Sequence, residues 1–179
     1  MVVPVAHVAT AGTVNTGAVD PTAPMADLAA EFASWLHVDG AYGLFGRLDE
    51  RVASLYEGLE RADSAVVDPH KWLVASVGIG TVFVRDRALL GRAFSLEPAA
   101  YLEGAIESDA EISSPFDSFG ELFHDFNLDQ SAPSRGVAVW AVLREIGADG
   151  MRQRVRRHND FARRLVALVS ADERLAGYG

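Results

Sequence analysis

Cysteine is absent from this chain of 179 residues, and its absence excludes several kinds of chemistry. Without cysteine there is no disulfide framework, no thiolate nucleophile and no cysteine-ligated metal site. A chain without disulfides fits a reducing compartment, where such bonds do not persist. We therefore expect a cytoplasmic protein that is stabilised by its core, because a domain of this length buries roughly 70% of its unfolded surface.

A surplus of positive charge is also missing. The chain has 16 Lys and Arg residues against 25 Asp and Glu residues, which gives a net charge of −9. Such a charge repels nucleic acid and anionic membranes, so we expect neither as a partner. One arginine-rich stretch is interleaved with apolar residues at helical spacing, which indicates a solvated helix face. It contains Arg152, Arg154, Arg156, Arg157, Arg163 and Arg164.

Long apolar runs are missing as well. The longest fall far short of the about 20 residues that a membrane-spanning helix needs. The start, Met1-Val2-Val3-Pro4, lacks a basic segment followed by an apolar core, so we expect no signal peptide.

The composition that remains is that of a globular domain, with 49% hydrophobic and 23% charged residues. Strand-like and helix-like segments alternate, which is typical of an α/β fold with a mostly parallel sheet and flanking helices. The predicted strands are 2–8, 36–39, 64–67 and 80–84, and the predicted helices are 25–35, 49–59 and two segments after residue 130 that meet near Gly147 and Gly150.

The most informative segment is Asp68-Pro69-His70-Lys71-Trp72, which directly follows an apolar strand-like run. A lysine held rigidly between a histidine and an aromatic residue, and partly shielded from water, becomes a good nucleophile toward an aldehyde. Pyridoxal phosphate is the common biological aldehyde that uses such a lysine, and it also needs a carboxylate opposite its ring nitrogen. Asp39, in His37-Val38-Asp39-Gly40-Ala41-Tyr42-Gly43, is the candidate carboxylate.

With a third block, Val8 to Pro21, these motifs resemble the pyridoxal-phosphate-dependent (group II) amino-acid decarboxylases, the aromatic-amino-acid and glutamate decarboxylase group. The three blocks occur in the order and at the approximate spacing of that family. The resemblance implies a fold-type I enzyme, of which this chain is a part. It further implies a dimer that acts on an amino-acid substrate.

The implied organisation has three parts. Residues 1–102 form the cofactor-binding α/β portion of the large domain, 103–125 form a flexible loop, and 126–179 form a helical segment that leads to a C-terminal domain. The loop is acidic and lacks clear periodicity, which is typical of a functional lid or a disordered segment. We expect it to cover a neighbouring active site in the dimer.

The resemblance assigns roles to five residues. Lys71 holds the cofactor as a Schiff base, and Asp39 pairs the pyridine nitrogen. Ala41 packs against the ring, His70 holds the phosphate or positions the substrate, and Thr13 lies near the cofactor.

Two positions depart from the family pattern at the site. Asp68 stands where many members carry asparagine, and a carboxylate there would repel phosphate unless it were neutralised or turned away, so it receives no role. Val14 replaces a second threonine that follows Thr13 in the family.

The loop departs too. Members often carry a proton-donating tyrosine there, but Phe116 and Phe119 occupy the region in this chain. In relatives, that replacement accompanies oxidative, aldehyde-forming chemistry.

Three functions therefore stay open. The leading one is decarboxylation of an L-amino acid, and the first alternative is an aldehyde-forming or transaminating reaction. The second alternative is an inactive fragment with a structural or interaction role. A metal site at His37 and Asp39 is not expected, because no third ligand stands out.

Overall fold

The computed structural model describes residues 3–94, 123–129, 131–172 and 174–175. They belong to two compact units, Met1–Arg85 with Arg135–Gly179, and Asp86–Ser134. The strands are β1 (Ala6–Thr10), β2 (Trp35–Asp39), β3 (Ser64–Val67) and β4 (Thr81–Val84), and the α-helices are α1 (Thr22–Glu31), α2 (Ala88–Phe94) and α3 (Arg135–Ser170).

The four strands form one sheet in the order β1-β2-β3-β4. The β1–β2 and β2–β3 pairs are parallel, and β4 pairs with β3 in the antiparallel direction. In the register, Asp39 lies opposite Thr10 of β1 and Val66 of β3. The expected α/β class with a mostly parallel sheet is confirmed, and the carboxyl ends of three strands meet at one edge.

Alternation along β2 separates the core from the face that carries the candidate carboxylate. Leu36 and Val38 are buried and pack in one core cluster with Ala26 and Ala29 of α1. Asp39 is half-buried and belongs to the alternate set of side chains, on the opposite face of the strand.

The predicted helix over 49–59 is wrong. The structure has two short 3₁₀ helices there, Ala53–Tyr56 and Leu59–Arg61. They are separated by Glu57 and Gly58. Gly58 has a left-handed φ of 90°, and a Cβ at this position would lie 2.5 Å from Cα of Ala23. A continuous α-helix cannot pass through a left-handed residue that is pressed against α1.

The C-terminal helix α3 is interrupted at Gly147, which has non-helical dihedral angles (φ 65°, ψ 175°). The predicted break between two helical segments is therefore confirmed. Met151 and Val155 lie one turn apart beyond the break and are buried with Leu73 in a second core cluster. No helix in the described ranges is long and apolar enough to span a membrane.

The second unit contains α2 and a 3₁₀ helix over Phe123–Phe126. The Arg87 guanidinium lies 4.2 Å from the centre of the Phe126 ring. The expected flexible loop at 103–125 lies outside the described residues except for its last three positions, and Phe116 and Phe119 lie outside them too.

Candidate active site

Backbone hydrogen bonds join the segments that follow β1, β2 and β3. The Ala11 amide donates to the Asp39 carbonyl (2.8 Å), and the Gly40 amide donates to the Val66 carbonyl (3.0 Å). One step further out, the Asp68 amide donates to the Ala41 carbonyl (3.3 Å). The three segments therefore extend the sheet pairing beyond the strands and form one connected edge.

The segments after β1 and β2 also touch through glycine. A Cβ at Gly43 would lie 2.4 Å from the carbonyl oxygen of Ala11, a distance that real Cβ atoms do not reach. Gly12 has a left-handed φ of 92°, and a Cβ there would meet Cα of Gly43 at 2.7 Å. Glycine is required at both positions for this close approach.

Thr13 follows Gly12 in this contact. Its hydroxyl lies 2.7 Å from the Thr16 hydroxyl and accepts a hydrogen bond from the Ala18 amide at 3.2 Å. These bonds close the turn after β1, so the structure shows a turn-forming role for the Thr13 hydroxyl.

Asp39 is the last residue of β2, and its carboxylate accepts fewer hydrogen bonds than it could. Its Oδ1 accepts a hydrogen bond from the Ala41 amide at 3.1 Å, which is the ordinary way that an aspartate caps a turn. Within the described residues, this is the single hydrogen bond found for the Asp39 side chain. An ionised carboxylate can accept several, so the group keeps capacity for an outside donor.

Lys71 lies in the turn after β3. Its amide donates to the Asp68 carbonyl (3.0 Å), and its Nζ lies 2.8 Å from Oδ2 of Asp68. The Lys71 side chain is 32% exposed and the Asp68 side chain 21%, so both groups are only partly shielded from water. Nζ is also 6.0 Å from the centre of the Tyr42 ring, at the outer limit of a cation–π contact.

A short chain of contacts connects the two principal residues. The Asp39 carboxylate bonds the Ala41 amide, the Ala41 carbonyl bonds the Asp68 amide, and the Asp68 carboxylate bonds Lys71. Ala41 and His70, two further predicted residues, are half-buried in these same segments. The structure thus brings the segments of Asp39, Ala41, His70 and Lys71 together, with Thr13 reached through the glycine contact.

The ring of His70 is fixed by a backbone carbonyl. Its Nδ1 lies 3.1 Å from the carbonyl oxygen of Ile79, and because a carbonyl only accepts, Nδ1 carries the hydrogen. That bond sets the ring orientation and makes Nε2 the nitrogen available to another group.

Helix α3 holds the far side of the lysine turn. Arg154 donates from a guanidinium nitrogen to the Leu73 carbonyl at 2.9 Å, across 81 positions in sequence. The Trp72 ring lies edge-on to His158, with centroids 5.6 Å apart. Val74, in the same segment, has a left-handed φ of 60°, an unusual conformation for a β-branched residue.

His37, on the same face of β2 as Asp39, has a partner of its own. Its Nδ1 lies 2.7 Å from the Ser64 hydroxyl, which also accepts from the Trp35 indole at 2.8 Å. The structure therefore shows His37 in a hydrogen-bonded pair on the sheet face. No group of three potential ligands suited to a metal ion occurs in the described part of the chain.

Sequence reasoning gave no role to Asp68, Arg154 or His158. The signal at Asp68 was its departure from asparagine, and the structure shows how its charge is balanced by Lys71. The two α3 residues had no local signal, because their partners lie about eighty positions away.

Comparisons with known proteins agree with the motifs. A family model described as "Pyridoxal-dependent decarboxylase conserved domain" matches residues 2–176. An aromatic-L-amino-acid decarboxylase of Bacillus atrophaeus is 34% identical over 152 residues, which are 85% of this chain and 30% of the relative. A phenylacetaldehyde synthase of Petunia hybrida is 29% identical over 163 residues, which are 91% of this chain and 30% of the relative.

A solved structure gives the same result for the fold. The crystal structure of Oryza sativa TDC with PLP and tryptamine matches 96% of this chain and 33% of its own, with a TM-score of 0.80 and 32% identity. The chain spans about a third of the length of the relatives that it matches.

Proposed function

Because the chain belongs to the pyridoxal-dependent decarboxylase family, we propose that it is the lysine-bearing part of an enzyme that removes the carboxylate of an L-amino acid as carbon dioxide. The observation that carries the proposal is the chain of contacts from Asp39 through Ala41 and Asp68 to Lys71. It joins a carboxylate at the end of β2 to an amine in the turn that follows the neighbouring parallel strand β3.

The described residues fit pyridoxal phosphate in their donor chemistry. Lys71 supplies an amine that can bind the cofactor aldehyde covalently. Asp39 has an oxygen available for the ring nitrogen and, as a nearby negative charge, would favour the protonated ring. When bound, the cofactor supplies the electron sink that makes cleavage at Cα feasible.

The remaining predicted residues take supporting roles in this proposal. Ala41 presents a small side chain beside Asp39, which leaves room for a ring. His70, through Nε2, holds the phosphate or positions the substrate. Thr13 stabilises the turn that borders the site.

The proposed assembly is a cytoplasmic homodimer, and the covering role expected of residues 103–125 stays a prediction. Exposed apolar side chains on α3 support association, since Val137 and Trp140 are 61% and 62% exposed. A monomer in solution, measured by light scattering with the full protein, would contradict it. The division into 1–102, 103–125 and 126–179 stays a prediction.

The test of the reaction is product analysis. The protein is incubated with pyridoxal phosphate and carboxyl-labelled L-tryptophan, L-tyrosine or L-glutamate, and labelled carbon dioxide and the amine are measured together. Lys71→Arg is the matched control, because it keeps the charge and loses the nucleophile. No labelled carbon dioxide above this control with any of the three substrates would contradict the proposal.

The same experiment decides the second candidate function. The similarity to a phenylacetaldehyde synthase favours an aldehyde-forming reaction as the alternative. Consumption of dioxygen with release of aldehyde, ammonia and hydrogen peroxide would identify it. Amine as the product would exclude it.

A further inference from the structure

Lys71, the proposed cofactor lysine, forms an ion pair with Asp68. The two residues belong to one tight turn, since the Lys71 amide also bonds the Asp68 carbonyl at 3.0 Å. The contact between Nζ and Oδ2, at 2.8 Å, is therefore local and needs no rearrangement to form.

The turn that carries this pair is anchored at several points. The Asp68 amide bonds the Ala41 carbonyl, and the Ala75 amide bonds the Pro69 carbonyl at 3.1 Å. Arg154 holds the Leu73 carbonyl from α3. Because the backbone on both sides of the pair is fixed, separation requires the long Lys71 side chain to move away from the carboxylate.

We propose that Asp68 is a positioning residue that keeps Lys71 paired in the cofactor-free protein, so that cofactor capture requires this pair to open. The inference rests on the proposed function, in which Lys71 binds the cofactor. While Nζ is held 2.8 Å from the Asp68 carboxylate it is not placed to attack an aldehyde, so the nitrogen reacts only after the two groups separate.

Capture begins once the pair has opened. The ammonium first gives one proton to the Asp68 carboxylate or to water. The Lys71 nitrogen then forms a C=N bond with the aldehyde carbon, and the aldehyde oxygen leaves as water with the two remaining amine hydrogens. Asp68 therefore acts before this bond forms, by holding Nζ in the ion pair until the pair opens.

Asp68 could instead slow capture by repelling the cofactor phosphate. Comparing the capture rates of two aldehydes distinguishes this role from the proposed one. Pyridoxal and pyridoxal phosphate carry the same aldehyde and differ in the phosphate. An effect through the Lys71 amine changes capture of both, whereas an effect on the phosphate changes capture of pyridoxal phosphate alone.

A label on a lysine side chain can be assigned to one residue, because Lys71 is the only lysine in the chain. Each aldehyde is added at fixed neutral pH and salt, trapped with borohydride at timed intervals, and located by peptide mass spectrometry. The N-terminal amine is the internal reference. The variants are Asp68→Asn, Asp68→Glu, which retains the charge, and Glu57→Gln, which removes a charge from an exposed residue outside the turn.

For Asp68→Asn we expect capture at Lys71 to be about threefold faster with both aldehydes, the scale on which partly exposed ion pairs act. The N-terminal amine should react at an unchanged rate in every variant. Asp68→Glu and Glu57→Gln should resemble the wild type.

An unchanged or slower rate at Lys71 in Asp68→Asn would overturn the proposal, as would acceleration with pyridoxal phosphate alone. Acylation by a succinimidyl ester keeps the test independent of cofactor binding. If pyridoxal phosphate never labels Lys71 but the ester acylates it faster in Asp68→Asn, the ion-pair inference holds and the proposed function fails.

Discussion

Two aspartates in the first unit, Asp49 and Asp39, have opposite surroundings. Asp49 has no exposed surface and accepts four hydrogen bonds, from the Arg51 amide (3.1 Å), two Arg51 guanidinium nitrogens (2.8 and 2.7 Å) and the Asn159 side-chain amide (2.9 Å). Asp39 is half-buried and, in the described ranges, accepts one. A carboxylate whose acceptors are all used internally stabilises the fold, whereas one with spare acceptors is available to a ligand.

The Asp49 cluster attaches α3 to the rest of the unit. Arg51 reaches from Asp49 to Asp160 at 2.6 Å, and Asn159 bonds Asp49 directly. The Arg51 hydrogen bonds, assisted by Asn159, hold the pKa of Asp49 well below its usual range and outweigh the opposing effect of burial. The contrast with Asp39 predicts that a substitution at Asp49 lowers the free energy of unfolding, whereas a substitution at Asp39 lowers turnover.

The largest expected effect is at Lys71. Lys71→Ala should abolish covalent retention of pyridoxal phosphate and all turnover, because the chain has no other lysine to replace it. The readout is bound cofactor after desalting, together with carbon dioxide release. Retention equal to that of the wild type would show that another group holds the cofactor.

The next largest effect is expected for Asp39→Asn. Turnover should fall by about 100-fold, the scale for loss of one charge that stabilises the reacting centre. The free energy of unfolding should stay nearly unchanged, because the amide oxygen of asparagine can still accept from Ala41. Steady-state kinetics and urea unfolding on the same preparation check both parts, and wild-type turnover would refute the assigned role.

Asp49→Asn should lower stability and leave turnover nearly unchanged, the reverse of Asp39→Asn. Replacing a buried carboxylate that accepts four hydrogen bonds should lower the free energy of unfolding by about 2 kcal/mol. Turnover per folded molecule should stay within about twofold of the wild type, since the cluster lies outside the candidate site. If stability is unaffected and turnover collapses, the contrast between the two aspartates is wrong.

Acid should produce the smallest effect. The pKa of Asp49 is lowered in the folded protein, so its contribution is complete above the unfolded pKa of 3.8 and is lost as the pH falls toward the folded value. Between pH 7 and pH 3 the wild type should lose about 1 kcal/mol through this group. Asp49→Asn should lack that component, which urea midpoints measured across the pH range will show.

Local sequence patterns predicted the parts of the fold that depend on local chemistry. The strand 64–67 is found at the predicted residues, and β2 begins one residue before the predicted strand. The first strand was placed at 2–8 but is found at Ala6–Thr10, because pairing with β2 decides its bounds. The helix expected at 49–59 failed because contact of Gly58 with α1 is a tertiary constraint.

The same distinction applies to the candidate site. Lys71 and Asp39 stand out because their residue types follow apolar strand-like segments. The Arg154 contact with the Leu73 carbonyl joins positions 81 apart, and no local pattern predicts such a contact. The pairing of Lys71 with Asp68 depends on the shape of one turn, which residue identity alone does not fix.

The central claim is that Lys71 and Asp39 hold opposite ends of one cofactor. The most direct measurement is a crystal structure of the protein after incubation with pyridoxal phosphate and reduction with borohydride. We expect the cofactor to be bonded to Nζ of Lys71, with its ring nitrogen about 2.8 Å from an Asp39 carboxylate oxygen. An unmodified Lys71, or a ring nitrogen more than about 4 Å from Asp39, would contradict the claim.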